Sequence, residues 1–170
     1  MKFFNLLTLV LFASSLFLGC NNDEEDIPKL DPEGDCMIAT IDGDFFNGSD
    51  VKVVLSEDLG FVSSMNITGM HANVSTLETD ILVISITRYQ SEGLITPGTY
   101  SLDDYFPDIA VQYVSGPILS PENHGYSQGT LTIMTHDTIT KRIEGKFEFE
   151  GENSQGTPSS IIDGYFDIKY

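Results

Sequence analysis

Ile162-Asp163-Gly164-Tyr165-Phe166-Asp167-Ile168-Lys169-Tyr170 alternates with a period of two. In an extended chain, Ile162, Gly164, Phe166, Ile168 and Tyr170 share one side. Asp163, Tyr165, Asp167 and Lys169 share the other. Successive side chains of a strand point to opposite faces, so this stretch predicts a strand with one face on a core and one in water. A helix would need apolar residues every three or four positions, and that spacing is absent here.

The same rhythm recurs upstream. In Gly145-Lys146-Phe147-Glu148-Phe149-Glu150 two phenylalanines alternate with charges, and Leu131 and Ile133 alternate with Thr130, Thr132 and Met134. Ile81 to Ile86 is nearly continuous and apolar, which predicts a central strand covered on both sides. Shorter strands are expected at Met37 to Ile41, Val51 to Leu55, Met65 to Gly69 and Ile109 to Val114. Asp42-Gly43 between two apolar runs predicts a tight hairpin. Pro97-Gly98, Gly116-Pro117, Glu144-Gly145 and Asp163-Gly164 read as further turns. Ser101 to Phe106 allows one helical turn. The expected fold is all-β, an antiparallel β-sandwich or flattened β-barrel of about eight to nine strands over residues 36–170.

The chain has 170 residues, 41% of them hydrophobic, enough for one ordinary core. Its 26 acidic residues against 8 basic ones give a net charge of −18. Such a surface repels phosphate, which excludes nucleic acid as a partner and disfavours electrostatic adhesion to anionic headgroups. Charged partners should be cationic: a basic protein, Ca²⁺ or a basic ligand. Acidity also keeps an exposed protein soluble without any partner.

The first twenty residues follow different rules. Lys2 forms a basic start, and Phe3 to Phe12 is apolar apart from Asn5 and Thr8. The apolar run ends at Cys20, and Asn21-Asn22-Asp23-Glu24-Glu25-Asp26 follows without a basic stop signal. A cleaved leader fits this better than a spanning helix, which needs about 20 apolar residues. Leu18-Gly19-Cys20 resembles the lipobox of bacterial lipoprotein signal peptidase, with Phe17 bulkier than the usual leucine. The resemblance implies cleavage between Gly19 and Cys20 and attachment of diacylglycerol to the Cys20 thiol. Residues 1–19 are then a signal peptide, and residues 20–35 a lipidated cysteine with an acidic, proline-broken tether. The acidic run is similar to the signal that carries lipoproteins of the Bacteroidota to the outer face of the outer membrane. The expected location is therefore the outer membrane, lipid-anchored and facing the exterior, with the periplasmic face as the alternative. With Cys20 acylated, Cys36 has no partner for a disulfide. Lacking basic neighbours, it reads as a small buried hydrophobe at the domain's edge.

No catalytic or metal constellation withstands inspection, and no cofactor is implied. Gly125-Tyr126-Ser127-Gln128-Gly129 has the letters of a nucleophile elbow, which needs a strand-to-helix turn. Here Gly129 leads into the expected strand Thr130-Leu131-Thr132-Ile133. Asp42-Gly43-Asp44-Phe45-Phe46-Asn47-Gly48 begins like a Ca²⁺ loop, yet Phe46, Asn47 and Val53 occupy the fifth, sixth and twelfth places. His71, His124 and His136 lack ligand spacing. Asp103-Asp104-Tyr105-Phe106-Pro107-Asp108 concentrates acids in a turn-rich connection rather than on facing strands. Asp137-Thr138-Ile139 resembles a short bacterial O-glycosylation acceptor.

Two loops are the expected functional surface, Gly98 to Asp108 and Ser115 to Gln128, with Tyr105 and Tyr126 as candidate ligand-binding residues. Their rings suit a sugar face or a protein partner; folded back, they would be core lids. The landmarks Ala39-Thr40-Ile41-Asp42-Gly43, Met65-Asn66-Ile67-Thr68-Gly69, Pro97-Gly98-Thr99-Tyr100-Ser101-Leu102, Gly129-Thr130-Leu131-Thr132-Ile133, Ile143-Glu144-Gly145-Lys146-Phe147 and Ile162-Asp163-Gly164-Tyr165-Phe166-Asp167-Ile168 follow one another along the domain. Their order resembles an uncharacterised family of small Bacteroidota lipoproteins, a domain of unknown function. Phe45-Phe46 departs from that pattern, where a basic residue and a tryptophan are expected. The resemblance implies a β domain on a lipid anchor and brings no catalytic residue with it. The expected function is non-enzymatic binding or adhesion through a glycan or protein ligand. The alternatives are an accessory subunit of an envelope assembly and a lipocalin-like carrier of an apolar ligand.

Overall fold

The computed structural model describes residues 35–58, 61–87, 95–102 and 109–170. The leader, Cys20, the tether and Tyr105 lie outside the described residues. What is described is all-β, and no helix occurs among the described residues. Among the described residues there are ten strands: β1 (Cys36–Ile41), β2 (Asp44–Gly48), β3 (Asp50–Asp58), β4 (Phe61–Asn73), β5 (Glu78–Thr87), β6 (Gly98–Leu102), β7 (Ile109–Ser115), β8 (Glu122–Asp137), β9 (Arg142–Asn153) and β10 (Pro158–Lys169). They form one antiparallel sheet in the order β2-β1-β10-β9-β8-β7-β5-β4-β3, with β6 paired to β8. The sheet is nearly closed into a barrel, so of the two expected architectures the barrel is the one adopted.

Closure follows from one short connection. The terminal strands β2 and β3 are joined by Ser49 alone, whose N–H donates to the Met70 carbonyl of β4 at 2.9 Å. The approach is so close that a Cβ on Gly48 would lie 3.1 Å from the Gly69 Cα. Two facing glycines let β2 approach β4, the neighbour of the terminal β3.

Inside, the period-two faces converge. Met37, Met65, Ile67, Leu82, Ile84, Ile86, Leu131, Ile133, Phe149 and Phe166 are buried almost completely. Each such side chain contributes about 1.5–3 kcal/mol through removal from water. Phe147 stacks on Phe149 at 5.9 Å and on Phe166 at 6.2 Å, tying β9 to β10. Cys36 is buried, as expected.

Several expectations need correction. Asp163-Gly164 is not a turn but a bulge within β10, where the register with β9 shifts between Ile161 and Gly164 and Asp163 takes φ 53°. The extra residue reverses the faces N-terminal to it. Ile161 points inward, and Ile162 is 49% exposed. Glu144-Gly145 likewise lies within β9, where Gly145 makes room for the Phe166 ring. β5 is central, but only Leu82, Ile84 and Ile86 are fully buried; its other face is half-exposed. Gly98 to Leu102 is strand rather than loop, and the Ser115–Gln128 connection shrinks because β8 begins at Glu122. Ser101 and Leu102 are likewise strand, so no helical turn starts there.

Candidate functional site

Asp42 and Gly43, with φ of 53° and 91°, form the two-residue turn between β1 and β2. Positive φ at both residues matches the twist of a tight hairpin. The turn folds Asp42 against β10. Its Oδ1 accepts the Ser160 N–H at 2.6 Å, its Oδ2 accepts the Ser159 hydroxyl at 2.9 Å, and its own N–H donates to the Ser160 carbonyl at 3.0 Å. On β8, His124 and Tyr126 are two residues apart and therefore face the same way, inward. His124 Nδ1 lies 3.0 Å from the Ser159 Oγ, and the Tyr126 hydroxyl lies 3.1 Å from it.

The valence of Ser159 assigns the protons. A hydroxyl has one proton and two acceptor lone pairs. The proton goes to the Asp42 carboxylate, so Ser159 accepts from Tyr126 and from His124 Nδ1–H. With Nδ1 so protonated, Nε2 meets the Ser115 hydroxyl at 3.4 Å. The imidazole, 7% exposed, thus has hydrogen-bond partners at both nitrogens, Ser159 on β10 and Ser115 on β7.

Beside the imidazole is a cavity of about 260 Å³ whose walls include Asp42, Asp44, Asp80, Ser115, Glu122, Phe45, Phe46 and Tyr113. The Phe46 and Tyr113 rings meet edge-on at 6.2 Å, and Tyr113 packs on His124 at 5.2 Å. The Tyr113 hydroxyl donates to Asp80 Oδ1 at 3.1 Å. Burial, then the negative charge of Asp80, pushes this phenol far above its ordinary range. Tyr126 is pushed up to about 12, by burial first, with the Ser159 hydrogen bond opposing and Asp42 adding to the rise. Glu122 accepts from the Asn153 side-chain amide.

Ser115, His124 and Asp42 follow one another in the order of a nucleophilic relay. Ser159 nevertheless intervenes between imidazole and carboxylate, and His124 Nδ1 is 3.8 Å from Asp42 Oδ2. A tetrahedral oxyanion formed on Ser115 would face Asp80 and Glu122, which destabilise negative charge rather than stabilise it. The arrangement is suited to holding positive charge.

A second, wider recess of about 870 Å³ lies where β8 changes partner. Residues Glu122 to Gly125 of β8 pair with β7, and Gly129 to Ile133 pair with β6. Between these ladders the wall parts, with Leu102, Ile109 and Tyr126 at the base and Gln128, Glu150 and Glu152 at the rim. Tyr126 is 8% exposed and packs near Phe149 at 6.4 Å. It is therefore a wall residue rather than the loop ring expected from the sequence, because its position falls inside β8. Ser127 is an exposed mid-strand residue, with no turn to make an elbow.

The other histidines sit elsewhere. His136 Nδ1 donates to the Ile95 carbonyl at 3.0 Å, and its Nε2 lies 2.7 Å from the Tyr170 hydroxyl, which fastens the last residue to β8. His71 is exposed. Among the described residues no three His, Cys, Asp or Glu side chains converge as metal ligands would. Asp137, at the head of the β8–β9 turn, accepts the Ile139 and Thr140 N–H groups at 2.8 and 3.1 Å, which holds its carboxyl below the usual range.

Sequence reading singled out neither Asp80, Glu122, Tyr113 nor Ser159 as site residues. The alternation Glu122-x-His124-x-Tyr126 was the available signal, but the partners come from β1, β5, β7 and β10. Compared with family models, with curated proteins and with solved structures, the chain matches none. The class defined by fold and site is a near-closed antiparallel barrel with an acidic, aromatic-walled cavity at one end.

Proposed function

We propose that this protein is a lipid-anchored, non-enzymatic binding protein of the outer membrane, presented to the exterior, whose ligand enters the cavity beside the Asp42-Gly43 hairpin. The observation that carries the reading is the cavity itself: a preorganised recess with polar groups converging on aromatic walls. Its back wall is held by hydrogen bonds from three strands and a turn, so little ordering is required on binding. The anchor rests on Leu18-Gly19-Cys20 and the acidic run after it, and on the resemblance to small Bacteroidota lipoproteins.

The carrier alternative gains no support from the barrel interior, which is filled by Met37, Met65, Phe149 and Phe166. The accessory-subunit alternative would use sheet edges, and the β2 end of the sheet is held against β4 through Ser49. The test is a ligand screen by solution NMR with the ring signals of Phe46, Tyr113 and His124 as reporters. Saturable shifts at these rings with the compound recovered unchanged support the reading. Conversion of the compound, or shifts confined to other faces, overturns it.

A further inference from the structure

The tips of two neighbouring hairpins carry apolar side chains that the core does not use. Among the described residues eight large hydrophobic side chains are exposed. Four of them, Val74, Leu77, Ile118 and Leu119, lie on the β4–β5 and β7–β8 connections, between 57% and 96% exposed. Hydrogen bonds bind the two connections into one unit. The Thr79 N–H donates to the Gly116 carbonyl at 3.0 Å, the Ile118 N–H donates to the Leu77 carbonyl at 3.1 Å, and Glu78 forms a bridge with Pro117. Leu77 holds φ 57°, a left-handed backbone that glycine or asparagine adopts at less cost. A leucine kept there with its side chain exposed is strain that no packing offsets, which points to a use outside the fold.

The same tips lack charge. Residues 74–77 and 116–121 include no charged side chain, although 20% of the chain is charged. Much of their backbone is paired within the protein. Asn73 Oδ1 accepts the Ser75 and Thr76 N–H groups at 3.1 and 3.4 Å, the Ser120 N–H donates to the Pro117 carbonyl at 3.0 Å, and Pro117 and Pro121 have no N–H to satisfy. An apolar phase penalises charges and unpaired backbone groups; these tips lack the first and limit the second.

We infer that the tips dock on a zwitterionic lipid surface, with Val74, Leu77, Ile118 and Leu119 entering the apolar boundary beneath the headgroups. The inference goes beyond the binding-protein reading, and none of these four residues lines the cavity. A second copy is the poorer occupant. Four aliphatic side chains fall short of the roughly 800 Å² per partner of a stable interface, and two chains of net charge −18 repel one another. A bilayer needs no complementary shape, whereas a protein would need a hollow matched to the tips. Glu78 and Glu122 flank the tips and, with the net charge, disfavour anionic headgroups. The tips lie at the opposite end of the barrel from Cys36. β8 runs from Glu122 beside them to Asp137, and Asp137 pairs through Arg142 and Lys169 to the end where β1 begins. Contact of Leu119 with lipid is therefore no by-product of an anchor at Cys20. The sixteen residues 20–35 reach at most roughly 53–58 Å, against about 40 Å for the twelve-residue β10, so both contacts can share one bilayer.

The chain contains no tryptophan, which makes the test position-specific. Leu119→Trp puts a single reporter at the tips, and Ile139→Trp puts one on an exposed residue at the other end. The full chain with either substitution is reconstituted in vesicles of phosphatidylcholine and acyl-brominated phosphatidylcholine, whose bromine quenches tryptophan only within the acyl region. Quenching of the Leu119→Trp variant should exceed that of Ile139→Trp about threefold or more, and adding Leu77→Ser with Ile118→Ser should lower it about threefold or more. Phosphatidylglycerol in the vesicles should weaken the contact at low salt, and high salt should restore it. Equal quenching at both positions, or none at either, overturns the inference and leaves the cavity reading untouched. Dimers in neutral detergent that Leu119→Ser converts to monomers, with no quenching in vesicles, overturn it in favour of a second copy.

Discussion

Ser159 Oγ donates to Asp42 Oδ2 across 2.9 Å, joining β10 to the first turn of the domain over 117 residues of chain. The bond organises the cavity's back wall, because the same oxygen accepts from His124 and Tyr126. Ser159→Ala should lower unfolding free energy by about 1–3 kcal/mol, since the buried His124 and Tyr126 and the more exposed Asp42 lose their complement. Urea denaturation followed by circular dichroism measures this. An unchanged midpoint would show that the network contributes no net stability.

The buried phenols predict alkaline instability. Tyr126 ionises at about 12 in the fold, and burial drives Tyr113 and Tyr165 upward as well, against about 10 for a free tyrosine. Their stabilising effect is fully present below the unfolded value and is lost as pH climbs from about 10 through 12. The urea midpoint should therefore fall across that window, with phenolate absorbance rising in step with unfolding. Reversible titration of every tyrosine near pH 10 in a folded protein would contradict the burial of these hydroxyls.

Phe149 is 1% exposed and stacks on Phe147. Phe149→Ala should cost about 3–5 kcal/mol through lost transfer energy and an unfilled cavity. Leu119, 96% exposed, gives the contrast. Its replacement by serine should change stability by less than about 0.5 kcal/mol. Thermal melts of the pair check the inward face of β9.

Two glycines near the wider recess differ sharply. A Cβ on Gly151 would sit 2.0 Å from the Gly125 carbonyl oxygen and 2.6 Å from the Tyr126 Cα, and backbone cannot yield as a side chain can. At Gly125 itself nothing lies within 4 Å of the added carbon. Gly151→Ala should lose more than about 2 kcal/mol or fail to fold, and Gly125→Ala should cost less than about 1 kcal/mol. Comparable stabilities would refute the close crossing of β8 and β9.

The anchor makes its own prediction. Cys20→Ser should abolish labelling by a fatty-acid probe and move the protein from the membrane to the soluble fraction, since acyl chains contribute about 0.8 kcal/mol per buried CH₂. Intact mass spectrometry of the wild type should show a diacylglyceryl cysteine as the first residue. An unmodified amino terminus would remove the anchor from the proposal.

Period-two alternation made most strands legible, because which face a residue takes depends only on its immediate neighbours along the chain. Phe147, Phe149, Leu131 and Ile133 point inward as their spacing requires. Local reading fails where one residue is inserted. Nothing in Ile161-Ile162-Asp163-Gly164 distinguishes a bulge from a turn, since both want an Asp-Gly pair with left-handed backbone at Asp163. β6 and the start of β8 were hidden for a related reason. Glycine, proline and asparagine there imitate loop chemistry, while ladder bonds from neighbouring strands hold them extended.

From its residues alone, the chain determined an all-β domain, a tight turn at Asp42-Gly43, a buried Cys36 and a net charge of −18, because each follows from local periodicity, φ preference or summed charge. Only the tertiary structure decided that one sheet curls until β2 meets β4, and that Asp42, Ser115 and His124 line a single recess with Asp80 and Glu122 while Ser159 ties them from behind. Strand pairing brings together side chains far apart in sequence, and the register that aligns them is settled by the packing of the whole barrel rather than by any segment of it.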